Sequence, residues 1–210
     1  MSCDPRHALT QSDDALAVEQ VPLRQIADQF GTPCYVYSMQ TLRTQYQQLA
    51  TALAPIDSKI HYSVKANSNL GILRVFKDLG AGFDIVSGGE LSRVLAVGGD
   101  PKDVIFSGVG KSTAEIDLAL KVGVGCFNVE SHSELIRIQQ RAELAEKIAP
   151  ISIRVNPDVD AKTHPYISTG LKNNKFGVDA DTALTLYAIA AEANALRIDC
   201  LLYTSDAADE

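Results

Sequence analysis

An α/β fold made of parallel βα units, forming part of a (βα)8 barrel, is what this sequence predicts, and three observations carry the prediction. First, β-like runs centred on Tyr62, Asp84, Ile105, Phe127 and Ile153 recur about 21–26 residues apart, each followed by an amphipathic helical pattern. Second, three of those helices open on one spelling: Ser87-x-x-Glu90, Ser112-x-x-Glu115 and Ser131-x-x-Glu134. This is a capping box, in which the serine hydroxyl and the glutamate carboxylate satisfy N–H groups that a first helical turn leaves unpaired. Third, the strands are two-faced. Ile151, Ile153 and Val155 alternate with Ser152, Arg154 and Asn156, and Phe127 and Val129 alternate with Asn128 and Glu130. An open doubly wound sheet, covered by helices on both sides, would read apolar at both parities. A barrel with helices on the apolar parity and a polar mouth fits better.

The elements follow in order. Residues 1–20 carry no strong period and read as a loose arm. Val21 to Phe30 reads as a short helix with Leu23, Ile26, Ala27 and Phe30 on one face, stopped by Gly31 and Pro33. Cys34 to Tyr37 is a short β run, and a helix over Met39 to Ala54 precedes Pro55. Ile60, Tyr62 and Val64 then alternate with His61, Ser63 and Lys65, the period of a half-buried strand. Gly80, Gly98 and Gly123 close helices where a left-handed residue is wanted. A sixth helix over Asp181 to Asn194 leads into Leu196 to Asp199, the start of a sixth strand.

Composition bounds the class. The chain has 210 residues and a formal charge of −7, with no Lys/Arg cluster, which argues against a nucleic-acid or anionic-membrane partner. No apolar run approaches membrane length, and the first residues lack a secretory pattern. Cys3, Cys34, Cys126 and Cys200 have no metal-ligand spacing and read as free thiols. A soluble, cytoplasmic protein is the expectation.

Strand parity gathers Lys65, Asp84, Ser107, Asn128 and Arg154 on the inner face, near the strands' carboxyl ends. A lysine there can act as an amine nucleophile towards a carbonyl, which suits a Schiff-base aldolase and a pyridoxal phosphate (PLP) enzyme equally well. The bland counterpart is an Asp84–Arg154 ion pair filling a polar core. The capping box already accounts for Glu90. His61 reads as a hydrogen-bonded core residue and His132 as an exposed residue of a first helical turn. There is no GxGxxG or P-loop.

Several stretches together resemble the fold-type III PLP-dependent decarboxylases. They are Tyr62 to Asn67, Gly82 to Leu91, Phe127 to Ser131, Arg154 to Pro157, Thr163 to Gly170, and Lys175 to Gly177. The spellings of Ser87 to Leu91 and Thr163 to Ile167 match the branch acting on diaminopimelate rather than those acting on ornithine or arginine. The resemblance implies the barrel of the alanine racemase/decarboxylase type and decarboxylation of meso-2,6-diaminopimelate to L-lysine. It implies that Lys65 holds PLP covalently and handles the α-carbon proton, that Asp84 lies beside that linkage, and that Arg154 sits at the cofactor's face of the barrel. It also implies a homodimer with a small amino-acid substrate. On this basis residues 1–38 are an arm, a helix and a strand of a separate β-domain, and residues 39–199 are an incomplete PLP-binding barrel. Residues 200–210 depart from the family pattern and resemble a translated sequencing adapter, a non-native tail set outside fold reasoning. Much of the family's phosphate- and substrate-binding apparatus would lie beyond this sequence, so the 210 residues alone are expected neither to fold stably nor to decarboxylate.

Overall fold

The computed structural model describes residues 9–12, 15–156 and 176–203. Its centre is a six-stranded parallel sheet in sequential order: β4 (His61–Ser63), β5 (Gly82–Ile85), β6 (Val104–Phe106), β7 (Cys126–Val129), β8 (Ala149–Val155) and β9 (Leu196–Tyr203). Helices α3 (Leu70–Asp78), α4 (Gly88–Ala96), α5 (Thr113–Val122), α6 (His132–Leu144) and α7 (Ala180–Glu192) alternate with these strands, and consecutive helices pack side by side. Sequential order with one helix per crossover is the topology of a barrel wall rather than a doubly wound sheet. The predicted strand centres all fall within strands.

Parity separates core from site. Phe83, Ile85, Phe106, Phe127, Val129, Ile151 and Ile153 turn outward and meet Leu73, Leu91, Val94, Ile116, Leu135, Ile138 and Leu186 from the helices in one buried layer. Each such side chain contributes about 1.5–3 kcal/mol on burial. Tyr62 joins the layer's rim by stacking on Phe76, with ring centroids 4.1 Å apart. At the amino end of the wall, a Cβ on Gly82 would run into the His61 ring on the neighbouring strand and fall 2.7 Å from the Asp103 carbonyl oxygen, so the close packing there needs glycine.

Three expectations need correction. Residues 1–20 are not simply a loose arm. Within them β1 (Leu9–Ser12) and β2 (Ala15–Val18) form an antiparallel pair that β3 (Val21–Pro22) extends, and the helix α1 (Leu23–Phe30) begins two residues later than predicted. Leu16 is exposed, Ala17 buried and Val18 intermediate, a span too short for a period to stand out in sequence.

Cys34 to Tyr37 is not a strand in this structure. A β conformation persists where an adjacent edge accepts its hydrogen bonds, and among the described residues no strand pairs with this segment. Tyr35 is 93% exposed, and helix α2 (Met39–Leu53) follows directly, capped by Ser38.

The third correction concerns the capping boxes, of which only that of α5 is complete. Ser87 and Ser131 do accept from the backbone N–H groups of Glu90 and Glu134. Their glutamates, however, reach one residue further back, to the N–H groups of Val86 and Glu130.

The sixth strand expected to begin at Leu196 is present as β9, and it runs four residues past Asp199. Ile198 pairs with Ile151 and Cys200 with Ser152, so Asp199 is the extra residue at a register shift.

Candidate functional site

The carboxyl ends of β4 to β8 surround a cavity of 640 Å³. Its wall contains Lys65, Asp84, Ser107, Asn128 and Arg154, the residues that parity assigned to the inner face, together with Glu130, Phe176 and the Gly108–Gly110 loop.

Lys65 is held by the way β4 ends. After Ser63 the chain turns through one short 3-10 helix, Val64–Ala66. The buried Val64 anchors that turn, and the Tyr62 hydroxyl donates to the Asn67 carbonyl oxygen at 3.2 Å. Asn69 then caps α3 by accepting from the Gly71 N–H. Lys65 is exposed to the cavity, and among the described residues its amine makes no hydrogen bond or ion pair.

Asp84 sits at the centre of β5, one strand from Lys65. It accepts from the Ser107 hydroxyl at 2.5 Å and from the Ser63 hydroxyl at 3.4 Å. Asn128 donates its amide N–H to Ser107 Oγ at 2.8 Å, and Ser152 donates to Asn128 Oδ1 at 2.6 Å. Polar side chains on five adjacent strands or their ends are therefore joined across the inner face.

Arg154 does not pair with Asp84, as the sequence reading allowed. Its guanidinium meets both carboxylate oxygens of Glu130 at 3.3 Å and lies 5.0 Å from the centre of the Phe176 ring. Geometry decides the pairing: Glu130 and Arg154 both lie at the cavity end of adjacent strands, while Asp84 is lower and three strands away. Glu130 also accepts from the Gly108 N–H at 3.1 Å, and Gly108 has φ 95°, a backbone that glycine adopts without strain.

Sequence reasoning missed Lys111. Its ammonium is wholly buried and donates to the carbonyl oxygens of Gly108 and Asn128 and to Glu134 Oε1, at 2.7, 2.8 and 2.8 Å. All three of its donors are used, so it acts as a pin holding the Gly108–Gly110 loop against β7 and α6. The signal was a lysine immediately ahead of a capping serine, in a glycine loop at a strand's carboxyl end. Glu130 was legible by the same parity that selected Asn128.

Other candidates fall away. Burial pushes the Cys126 thiol up to about 12, so it is no thiolate nucleophile. His61 lies at the amino end of β4, is not among the residues lining the cavity, and is held below the usual histidine range chiefly by burial. His132 is exposed in the first turn of α6, as expected. Among the described residues no cluster suits a metal ion, and no helix is long and apolar enough to cross a membrane. The stretch from Pro157 to Lys175, including Thr163 to Gly170, lies outside the described residues.

Residues 39–200 match the family described as pyridoxal-dependent decarboxylase, pyridoxal binding domain. The chain belongs to the pyridoxal-dependent decarboxylase family. Within that family its similarity runs to diaminopimelate decarboxylases. It is 58% identical to that of Pseudomonas aeruginosa over 192 residues, which is 90% of this chain and 46% of the relative. Among solved structures, the diaminopimelate decarboxylase of Helicobacter pylori complexed with L-lysine superposes with a TM-score of 0.83 at 42% identity, covering 86% of this chain and 46% of that one. The M. jannaschii enzyme with L-lysine gives 0.85 at 33% identity, covering 93% and 47%. The chain spans about half the length of the curated relatives it matches. The family's cofactor is PLP, and the polar barrel mouth expected from parity is the part of the fold that the family match covers.

Proposed function

We propose that this sequence supplies the cofactor-binding barrel of a decarboxylase that converts meso-2,6-diaminopimelate to L-lysine and CO2. The observation that carries the reading is the Lys65 amine at the end of β4, which makes no hydrogen bond or ion pair among the described residues and faces a cavity shared with Asp84 and Arg154. The residues present suit PLP. An unengaged amine is available for the cofactor's aldehyde, and Arg154 Nε is buried with no hydrogen-bond partner among the described residues. A buried orphan donor in a cavity wall is what an anionic or polar ligand group would satisfy.

In this reading Lys65 Nζ is the point of covalent attachment and, once released, the group that holds or moves a proton at the substrate α-carbon. Asp84 supplies a fixed negative charge beside it. The Glu130–Arg154 pair and the Phe176 ring shape the opposite wall. PLP, when bound, supplies the electron sink for the pair left behind as CO2 departs. Residues 39–199 are assigned to the cofactor barrel, 1–38 to the arm and start of a β-domain, and 200–210 to a non-native tail. With the reading go a homodimer, a cytoplasmic location and no nucleic-acid partner, the last in keeping with the charge of −7.

The test, in the full-length protein carrying this sequence, is reduction with borohydride after incubation with PLP, followed by peptide mapping. Pyridoxyl modification of Lys65, and not of Lys59 or Lys111, is expected. Modification elsewhere overturns the assignment. In the full-length protein carrying this sequence, CO2 release from meso-diaminopimelate should exceed that from ornithine or arginine; the reverse order moves the substrate to a neighbouring branch.

A further inference from the structure

The hydrogen bonds on the inner face have a direction, and that direction is forced. An ionised carboxylate can only accept, so the single hydroxyl proton of Ser107 must go to Asp84 Oδ1. Ser107 Oγ can then only accept from residue 128, which fixes the Asn128 amide with Nδ2 toward Ser107 and Oδ1 toward Ser152. Ser152 must in turn donate. Every proton in the series points from β8 through β7 and the end of β6 to Asp84 in β5. Ser152 and Asn128 are buried, at 1% and 6% exposure, so water does not compete along this stretch. Bonds aligned head to tail in a low-dielectric interior polarise one another.

We propose that Ser107, Asn128 and Ser152 are positioning residues for Asp84, a one-way hydrogen-bond chain that fixes how much negative charge Asp84 presents to Lys65. The proposal rests on the reading of Lys65 as the PLP lysine. The charged and titratable groups facing Asp84 enter the same balance. They are Lys65 and His61 from β4 and the turn after it, Glu130 from the end of β7, and Arg154 from β8. Neither Glu130 nor Arg154 interrupts the chain, because they engage each other and Gly108.

The discriminating variant is Asn128→Asp. It keeps the shape of the side chain but replaces a donor with an acceptor, so the Ser107 proton is drawn away from Asp84 and a second negative charge is placed one hydroxyl from it. More negative potential near Lys65 should keep the nitrogen that joins it to the cofactor positively charged to higher pH. The readout is the pH midpoint of the bound cofactor's visible absorbance, measured in the full-length protein without substrate. A rise of about one unit or more is expected for Asn128→Asp. Ser152→Ala, which removes only the remote donor, should move the midpoint the same way by roughly half a unit. Should Asn128→Asp fail to fold, Ser152→Ala and Ser107→Ala carry the test. If the folded variants lose thermal stability while their midpoints coincide with the parent's, the chain is structural filling and the proposal is overturned. Absence of cofactor absorbance in the parent protein would instead overturn the PLP reading itself, so the two failures are distinct.

Discussion

The middle of the sheet and its two flanks solve the same problem differently. From β5 to β8 every strand is paired on both sides, the apolar parity lies under helices, and, Arg154 Nε excepted, the polar parity is joined within the wall. At the flanks the same chain leaves apolar surface in water. Tyr35 and Tyr37 stand out from the unpaired segment before α2, and Ile198, Leu201 and Tyr203 are exposed on β9, which has β8 on one side only among the described residues. The contrast teaches that polar groups pointing into a barrel can be satisfied by one another, side chain to side chain, across adjacent strands. Exposed apolar groups on an unpaired edge have no such internal remedy and call for another surface.

The largest effect that sharpens this contrast is functional and leaves the middle intact. In the full-length protein carrying this sequence, Lys65→Ala should abolish pyridoxyl trapping and CO2 release altogether, while thermal unfolding shifts little, because the side chain is exposed and unpaired among the described residues. A large loss of stability would show instead that Lys65 is part of the wall's own network.

Next comes the middle itself. Glu134→Ala strands the buried Lys111 ammonium and frees the Glu130 N–H, and should cost about 3–5 kcal/mol in denaturant unfolding. A cost below about 1 kcal/mol would mean that the buried pair does not set the wall's stability.

The flanks give the third test. The 210-residue chain alone should self-associate in sedimentation velocity, and the double change Ile198→Lys with Leu201→Lys should weaken that association by roughly tenfold or more. A monodisperse monomer without the lysines would show that the exposed edge is harmless.

Smaller still is the loss of the one complete capping box: Ser112→Ala should cost about 1 kcal/mol, measured by chemical unfolding.

The smallest effect is one of pH. Hydrogen bonds from the Gly88 N–H, then from the Ser112 N–H and hydroxyl, hold the Glu115 carboxyl below its ordinary value of 4.5. Its folded-state pKa is depressed, so its contribution is present above 4.5 and is lost as the pH falls through the lower folded value. Melting curves of the parent and Glu115→Gln should therefore differ at neutral pH and converge in acid. A gap that persists unchanged in acid would remove Glu115 as the link between α4 and α5.

Much of this was legible in residue order, for physical reasons that are local. Strand parity follows from the alternation of Cβ directions, so the neighbours Asn128 and Phe127 could be sent to opposite faces without knowing the fold. Glycine at the helix ends and serine at the caps answer backbone needs within a few residues. What stayed hidden depends on distant partners. Nothing local distinguishes Asp84 from Glu130 as the mate of Arg154, because the choice depends on height along the wall. Nothing local reveals that Lys111 is buried, since its three acceptors come from the loop before it, a neighbouring strand and the next helix. The Cys34–Tyr37 run shows the reverse error: β propensity without an edge to pair with yields exposed chain.

The sequence by itself determined the βα repeat, the two faces of each strand and the lysine at the end of β4, because periodicity and capping are properties of adjacent residues. Only the tertiary structure decided who meets whom across the mouth: Glu130 with Arg154, Lys111 with Glu134, and a hydrogen-bond chain from Ser152 to Asp84. Those pairings depend on strand stagger and on which loops approach, distances that separations of 20 residues or more along the chain leave open.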